Sequence, residues 1–179
     1  MIGGPSRHFQ WDDARVLVQI KALLAQNQNI NYTLTTSRRT PPSFLEQLKN
    51  QQQLPENIQV VPFNETMPEW IENQLVKSAS TWVTEDSVSM VYEALTSQST
   101  VGLLNLEKSK SSRVSRGVET LLSKGMVTRF DTQENYKKNL GMSSPMNPEA
   151  RRCADWIVDE WLTPLPEYST DWLPTYGEV

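Results

Sequence analysis

Short runs rich in β-branched residues, each leading through a polar elbow into apolar residues at helical spacing, constrain this chain more than any other feature. The plainest copy is Trp82-Val83-Thr84, which meets the elbow Glu85-Asp86-Ser87 and then the helical run Val88-Ser89-Met90-Val91-Tyr92-Glu93-Ala94. Strand, elbow and helix joined this closely call for parallel strands with right-handed crossovers, because a parallel neighbour is reached only by a connection that returns along the sheet face. Ligands collect at the carboxyl ends of such strands, where helix amino termini aim N–H groups and positive dipole ends.

The unit recurs along the chain. Residues 11–26 place Val16, Leu17, Ile20, Leu23 and Leu24 on one helical stripe, with Asp12 and Asp13 in the first turn, where the dipole favours them. Residues 30–36 alternate as a strand and end at Ser37-Arg38-Arg39-Thr40-Pro41-Pro42. A helix over residues 44–52 then starts from Thr40 ahead of Pro41, or from Ser43 with Glu46. Residues 58–62 read as a third strand, and Thr66 with Glu69 as a capping box for a helix carrying Trp70, Ile71, Leu75 and Val76. Strands over 81–84, 101–104 and 127–130 and helices over 87–95, 112–124 and 148–162 complete the pattern. Ile2 reads as the end of a first strand, as though the chain began just inside it, with a partner domain expected upstream.

The alternation predicts a Rossmann-like α/β domain, a doubly wound parallel sheet of about five to six strands with helices on both faces. That domain is expected over residues 1–162, followed by an irregular Pro- and Trp-containing tail at 163–179. Trp11, Trp70, Trp82, Trp156 and Trp161 are expected in the core or in seams between helices.

Charge and cysteine usage narrow the function classes. A net charge of −4, from 17 basic and 21 acidic side chains, argues against a nucleic-acid partner held by a broad positive face, so any phosphate binding must be local. The one cysteine, Cys153, excludes an internal disulfide framework and a multi-cysteine zinc site; it reads as a helix residue, no metal site is expected, and a cytoplasmic setting fits. No apolar run reaches the roughly 18 residues of a transmembrane helix, and the amino terminus lacks a basic and apolar leader.

Candidate ligand residues sit at the elbows. Gly3 and Gly4 would let a phosphate approach the backbone, with Ser6 and Arg7 adding a hydroxyl and a positive charge; a tight strand-to-helix turn is the simpler alternative. The third glycine of a dinucleotide fingerprint and the Gly-Lys-Ser/Thr of a P-loop are missing. Ser37, Arg38 and Arg39 place two guanidiniums at the same rim, suited to oxyanions, although consecutive side chains diverge and only one is expected to face the cleft. The alternative there is one arginine paired with a carboxylate and the other solvated. Thr84, Asp86, Ser87 and Ser89 can cap the next helix or offer groups to a diphosphate, and Glu93 shares a helix face with Ser89. Glu85 and Asp86 would have to turn away from any phosphate. His8, the single histidine, is a candidate acid or base with no visible partner. Lys108, Lys110, Arg113 and Arg116, set among serines, form either a basic loop over the cleft or a solvated surface.

Three of these segments carry a resemblance: Gly3-Gly4-Pro5-Ser6-Arg7-His8-Phe9 followed by Trp11-Asp12; Thr35-Thr36-Ser37-Arg38-Arg39-Thr40-Pro41; and Val83-Thr84-Glu85-Asp86-Ser87-Val88-Ser89-Met90 with Glu93-Ala94. In that order they resemble the mitochondrial-fission-factor-like family, the "elongated mitochondria" proteins of plants and their bacterial relatives, over residues 1–130. That family is similar to GT-B glycosyltransferases, in which two Rossmann-like halves face a cleft, and this chain resembles the C-terminal half. The resemblance implies a nucleotide-sugar ligand such as a UDP-sugar rather than a resident cofactor. It also implies that Glu93 accepts hydrogen bonds from the donor ribose. An N-terminal half would supply the acceptor site and commonly the base, so the isolated domain would bind without catalysing. Relatives often carry Asn-Pro-Tyr ahead of the Thr-Glu-Asp-Ser elbow, where this chain has Pro62-Phe63-Asn64-Glu65. The fission role of the plant relatives implies the alternative, a non-catalytic interaction module acting through a protein partner at a membrane surface, peripheral to its inner face; a fold hosts many functions.

Overall fold

Strands and helices alternate as the pattern requires in the computed structural model, which describes residues 1–130 apart from 27–28, 51–53, 68, 98 and 110–111. The order is β1 (Phe9–Gln10), α1 (Asp13–Gln26), β2 (Tyr32–Thr35), α2 (Pro42–Lys49) and β3 (Ile58–Val61), then a 3-10 turn (Phe63–Glu65). It continues through α3 (Trp70–Lys77), β4 (Ser80–Thr84), α4 (Val88–Thr96), β5 (Thr100–Leu104), β6 (Glu107–Lys108), α5 (Arg113–Ser123) and β7 (Thr128–Arg129). The helix expected over 148–162, the tail, Cys153, Trp156 and Trp161 lie outside the described residues.

β2 pairs in parallel with β3, and β4 with β5 and β5 with β7, also in parallel. Among the described residues the largest ladder therefore has three strands, smaller than the expected sheet of five to six. Met1 and Ile2 lie between the two sheets and bond to both. The Ile2 N–H donates to the Thr35 carbonyl at 2.9 Å, and the Thr84 N–H donates to the Met1 carbonyl at 3.3 Å. Ile2 also bridges Thr36 in the parallel sense. β1 and β6 were not legible in advance; they pair antiparallel, Phe9 opposite Lys108, and two residues are too few to show a period.

Burial follows the periodicities. Val16, Leu17, Ile20, Leu23 and Leu24 are all buried, as are Val101, Leu103 and Leu104, whose unbroken apolar run marks a strand covered on both faces. Trp11 stands edge-on to Phe44 at 6.0 Å and Trp82 edge-on to Phe130 at 5.9 Å, both half-buried in seams. Trp82 lies opposite Gly102 on β5, where a Cβ would overlap the indole, so the ring replaces the missing side chain. Among the described residues no helix is long and apolar enough to cross a membrane.

Helix ends show where local rules held and where tertiary contacts won. Ser112 caps α5 in a capping box with Ser115, and Gly125, at a φ of 66°, ends it. There the Met126 N–H reaches the Leu121 carbonyl and the Gly125 N–H the Leu122 carbonyl, a Schellman pattern that needs the left-handed residue. The capping box expected from Thr66 and Glu69 does not form. The Thr66 hydroxyl donates to the Phe63 carbonyl instead, and Glu69 precedes α3 at a φ of 66° without a side-chain cap. Neither Thr40 nor Ser43 caps α2, because Thr40 is drawn to Gly3 and the Ser43 hydroxyl donates to Asp13 at 2.7 Å. Ser112→Ala is expected to lower stability by about 1 kcal/mol, read from the midpoint of chemical denaturation at unchanged slope.

Candidate functional site

Parallel pairing brings three elbows together at the carboxyl ends of β2, β4 and the segment that precedes β1. The Asp86 side chain sits at their junction and is 1% exposed. Its Oδ2 accepts the Gly4 N–H at 3.0 Å and the Arg39 Nη2 at 2.8 Å. Arg39 reaches onward, Nη1 donating to the Gly4 carbonyl at 3.0 Å and the Pro5 carbonyl at 2.9 Å. Behind this pair the Gly3 N–H donates to Thr84 Oγ1 at 2.7 Å, and the Thr40 hydroxyl donates to the Gly3 carbonyl at 2.5 Å. The room left by the two glycines is filled by protein. A Cβ on Gly3 would overlap the Asp86 carboxylate, and one on Gly4 the Arg39 carbonyl.

The remaining candidates divide between inward and outward groups. Ser6 Oγ accepts the His8 and Phe9 N–H groups at 3.3 and 3.2 Å, which shapes the first elbow and leaves Arg7 exposed. Ser37 closes the second elbow, its N–H donating to Thr40 Oγ1 at 2.9 Å and its hydroxyl accepting the Arg39 N–H at 3.2 Å. The two arginines diverge as adjacent residues must: Arg38 is exposed, with its guanidinium 5.7 Å from the centre of the Phe63 ring. Phe63 belongs to the stretch that departs from the Asn-Pro-Tyr pattern. Ser87, just ahead of α4, is buried and Ser89 in its first turn exposed, their hydroxyls 3.4 Å apart, with Glu93 half-buried further along the helix.

Electrostatics distinguish the three acids. Burial pushes the Asp86 carboxyl above its ordinary range, against the pull of Gly4, Thr84 and Arg39, and Asp86 Oδ1 is buried without a hydrogen-bond partner. Burial also raises Glu93, helped by the charge of Glu72. Glu85 turns the other way. Its Oε1 meets Arg129 Nε at 2.7 Å and its Oε2 accepts the Leu106 N–H at 3.0 Å, so this buried carboxylate braces β7 and the loop after β5. Arg129 was not singled out in the sequence; its partner lies 44 positions away, beyond any local pattern.

A family model described as mitochondrial fission ELM1 matches residues 1–161. The chain belongs to the mitochondrial fission ELM1 family. Comparison with curated proteins and with solved structures finds no match. The ELM1 match spans all three elbows, so the junction around Asp86 lies within the family's region.

Two candidates of this ELM1-family chain stand apart from the junction. His8 Nδ1 is buried without a hydrogen-bond partner, so no carboxylate orients the ring through that nitrogen as a general base requires. Lys108 pairs with Glu119, which also binds Arg129 at 3.0 Å, so this part of the basic stretch is neutralised rather than aimed at a ligand. The Lys108 and Arg129 hydrogen bonds hold the Glu119 carboxyl below its ordinary range. Arg39→Ala is expected to destabilise by about 1–2 kcal/mol, well short of a fully buried pair because Arg39 is 42% exposed, as measured by urea denaturation.

Proposed function

We propose that this chain is the nucleotide-sugar donor-binding half of a GT-B glycosyltransferase-like protein, with the donor lying along the rim of the three elbows. The observation that carries the reading is the Arg39 guanidinium, which ties the first elbow to the Asp86 elbow at the carboxyl ends of parallel strands. Open α/β sheets bind their ligands at that end. Thr84 and Asp86 take the N–H groups of Gly3 and Gly4, so a diphosphate falls to outward groups: Arg7, Arg38, the Ser89 hydroxyl and the amino-terminal N–H groups of α4. Arg39 offsets the charge of Asp86 beneath them. Glu93, half-buried on the Ser89 face, accepts the ribose hydroxyls. The acceptor site and the catalytic base belong to a partner half, so this half binds and does not catalyse.

A second reading draws on a different observation. Internal bonding of the Gly3 and Gly4 N–H groups removes the backbone cradle expected for a phosphate, which suits a GT-B-derived module working through a protein partner at the cytoplasmic face of a membrane. Thermal unfolding with UDP, GDP, CDP and their sugar conjugates separates the two. Under the first reading, one nucleotide at about 100 times its dissociation constant adds about 2.7 kcal/mol, and Glu93→Ala abolishes the effect. Indifference to all of them at millimolar concentration supports the interaction module.

A further inference from the structure

A carboxylate sealed beneath the rim carries a charge that an anion bound above it must meet. The Asp86 side chain is 1% exposed, and its two oxygens differ. Oδ2 accepts the Gly4 N–H and Arg39 Nη2, while Oδ1 is buried without a hydrogen-bond partner. Ser87 alone separates Asp86 from α4, so at most about 8 Å lies between its Cα and that of Val88, the first helical residue.

The groups packed around Asp86 leave little net charge to hold an anion. The second elbow contributes the Arg39 guanidinium, the first elbow the Gly4 N–H, and β4 the Thr84 hydroxyl. Glu85 turns away to Arg129, the Met1 amino group is held by the Trp82 carbonyl, and Arg7 and Arg38 are exposed on the rim. Arg39 is 42% exposed and reaches the rim, but Asp86 cancels its charge. Burial already pushes the Asp86 carboxyl above its ordinary range.

We propose that donor binding at the rim is coupled to proton uptake by Asp86, a regulation of the same site that rests on the donor-binding reading. The proton goes to Oδ1, the oxygen without a donor, and Oδ2 keeps both of its hydrogen bonds. Neutral Asp86 no longer cancels Arg39, so the pair beneath the diphosphate changes from neutral to positive. Repulsion between the carboxylate and the diphosphate is removed in the same step, and burial limits screening by salt. The donor is therefore held more tightly at acid pH, and the proton leaves when the donor does. The factor by which the donor favours the protonated carboxyl is the factor by which protonation favours the donor.

The test follows the Asp86 carboxyl carbon in the 179-residue chain labelled with carbon-13 aspartate, titrated with and without saturating UDP-glucose or GDP-glucose. Its midpoint is expected to rise by about one pH unit or more on saturation, which corresponds to about tenfold tighter binding by the protonated form. Glu93 acts in the opposite sense, because accepting ribose hydroxyls favours its ionised form, and the residue-resolved signal keeps the two apart. Asp86→Asn holds the side chain neutral and is expected to bind the same nucleotide about tenfold more tightly than the parent chain at neutral pH. A sugar nucleotide that binds and leaves the Asp86 midpoint unmoved overturns the coupling and leaves the donor site standing. A folded Asp86→Asn chain that binds no more tightly overturns it too. Binding of neither nucleotide at millimolar concentration overturns the donor reading, and the coupling with it.

Discussion

Gly4→Ala is expected to cost about 4 kcal/mol or more of folding stability and to leave much of the chain unfolded at 37 °C. A Cβ at this position overlaps the carbonyl of Arg39, which is backbone and has no rotamer to move into. Displacing Gly4 instead stretches its N–H from Asp86 and its carbonyl from Arg39, and so loosens the carboxylate held by both. Losses of this size come from a short list of causes, of which forced overlap and an uncompensated buried charge are two, and here they coincide. Gly3→Ala is expected to cost less, about 2–3 kcal/mol, because its Cβ meets the Asp86 side chain, which can rotate at the expense of its hydrogen bonds. Gly117→Ala is the internal control. Nothing lies within 4 Å of a Cβ there, the residue sits inside α5, and the substitution is expected to add about 0.5–1 kcal/mol. Urea denaturation of the three variants must give this order, two losses of unequal size and one gain.

Raising the pH from 5 to 8 is expected to stabilise the 179-residue chain by about 3 kcal/mol through its amino group. Burial lowers the Met1 amino group from 8.0 to about 5, and its neighbour is the Trp82 carbonyl rather than a carboxylate. Below pH 5 both the folded and the unfolded chain hold the proton, and the full cost of burying the charge is present. Between the two values the unfolded chain binds the proton and the folded chain does not, so stability rises with pH. Above pH 8 both are neutral and the cost is gone. Asp86 acts in the opposite sense, since a raised carboxyl loses stability as pH climbs from 3.8, and its range begins below this window. Denaturation midpoints at half-unit steps test the slope. A flat profile between pH 5 and 8 would mean that the amino group is hydrated.

What was legible in the sequence was the part written in local periods. The α1 stripe of Val16, Leu17, Ile20, Leu23 and Leu24 and the apolar run at Val101, Leu103 and Leu104 announced their elements because burial on a fixed face imposes spacing. Ser112 announced the start of α5 because its cap is three residues away. Caps that compete with other partners were not legible: Thr40 is taken by Gly3 and Ser43 by Asp13, both far away in the sequence, and Thr66 by the carbonyl of Phe63 in the preceding turn. At the site, the convergence of the three elbows followed from parallel topology. That Gly3 and Gly4 receive Asp86 and Arg39 into the space above them is set by contacts more than 30 residues apart, which a single chain read in order does not display.

The measurement that bears most directly on the rim as a donor site is an amide chemical-shift titration of the isotope-labelled chain with UDP and a UDP-sugar. Saturable shifts are expected to concentrate at Arg7, Ser37 to Thr40 and Ser87 to Glu93, reduced at least tenfold in apparent affinity by Glu93→Ala, with Thr33 and Ser80 at the opposite strand ends unmoved. Saturable shifts elsewhere, or none at millimolar nucleotide, would contradict it.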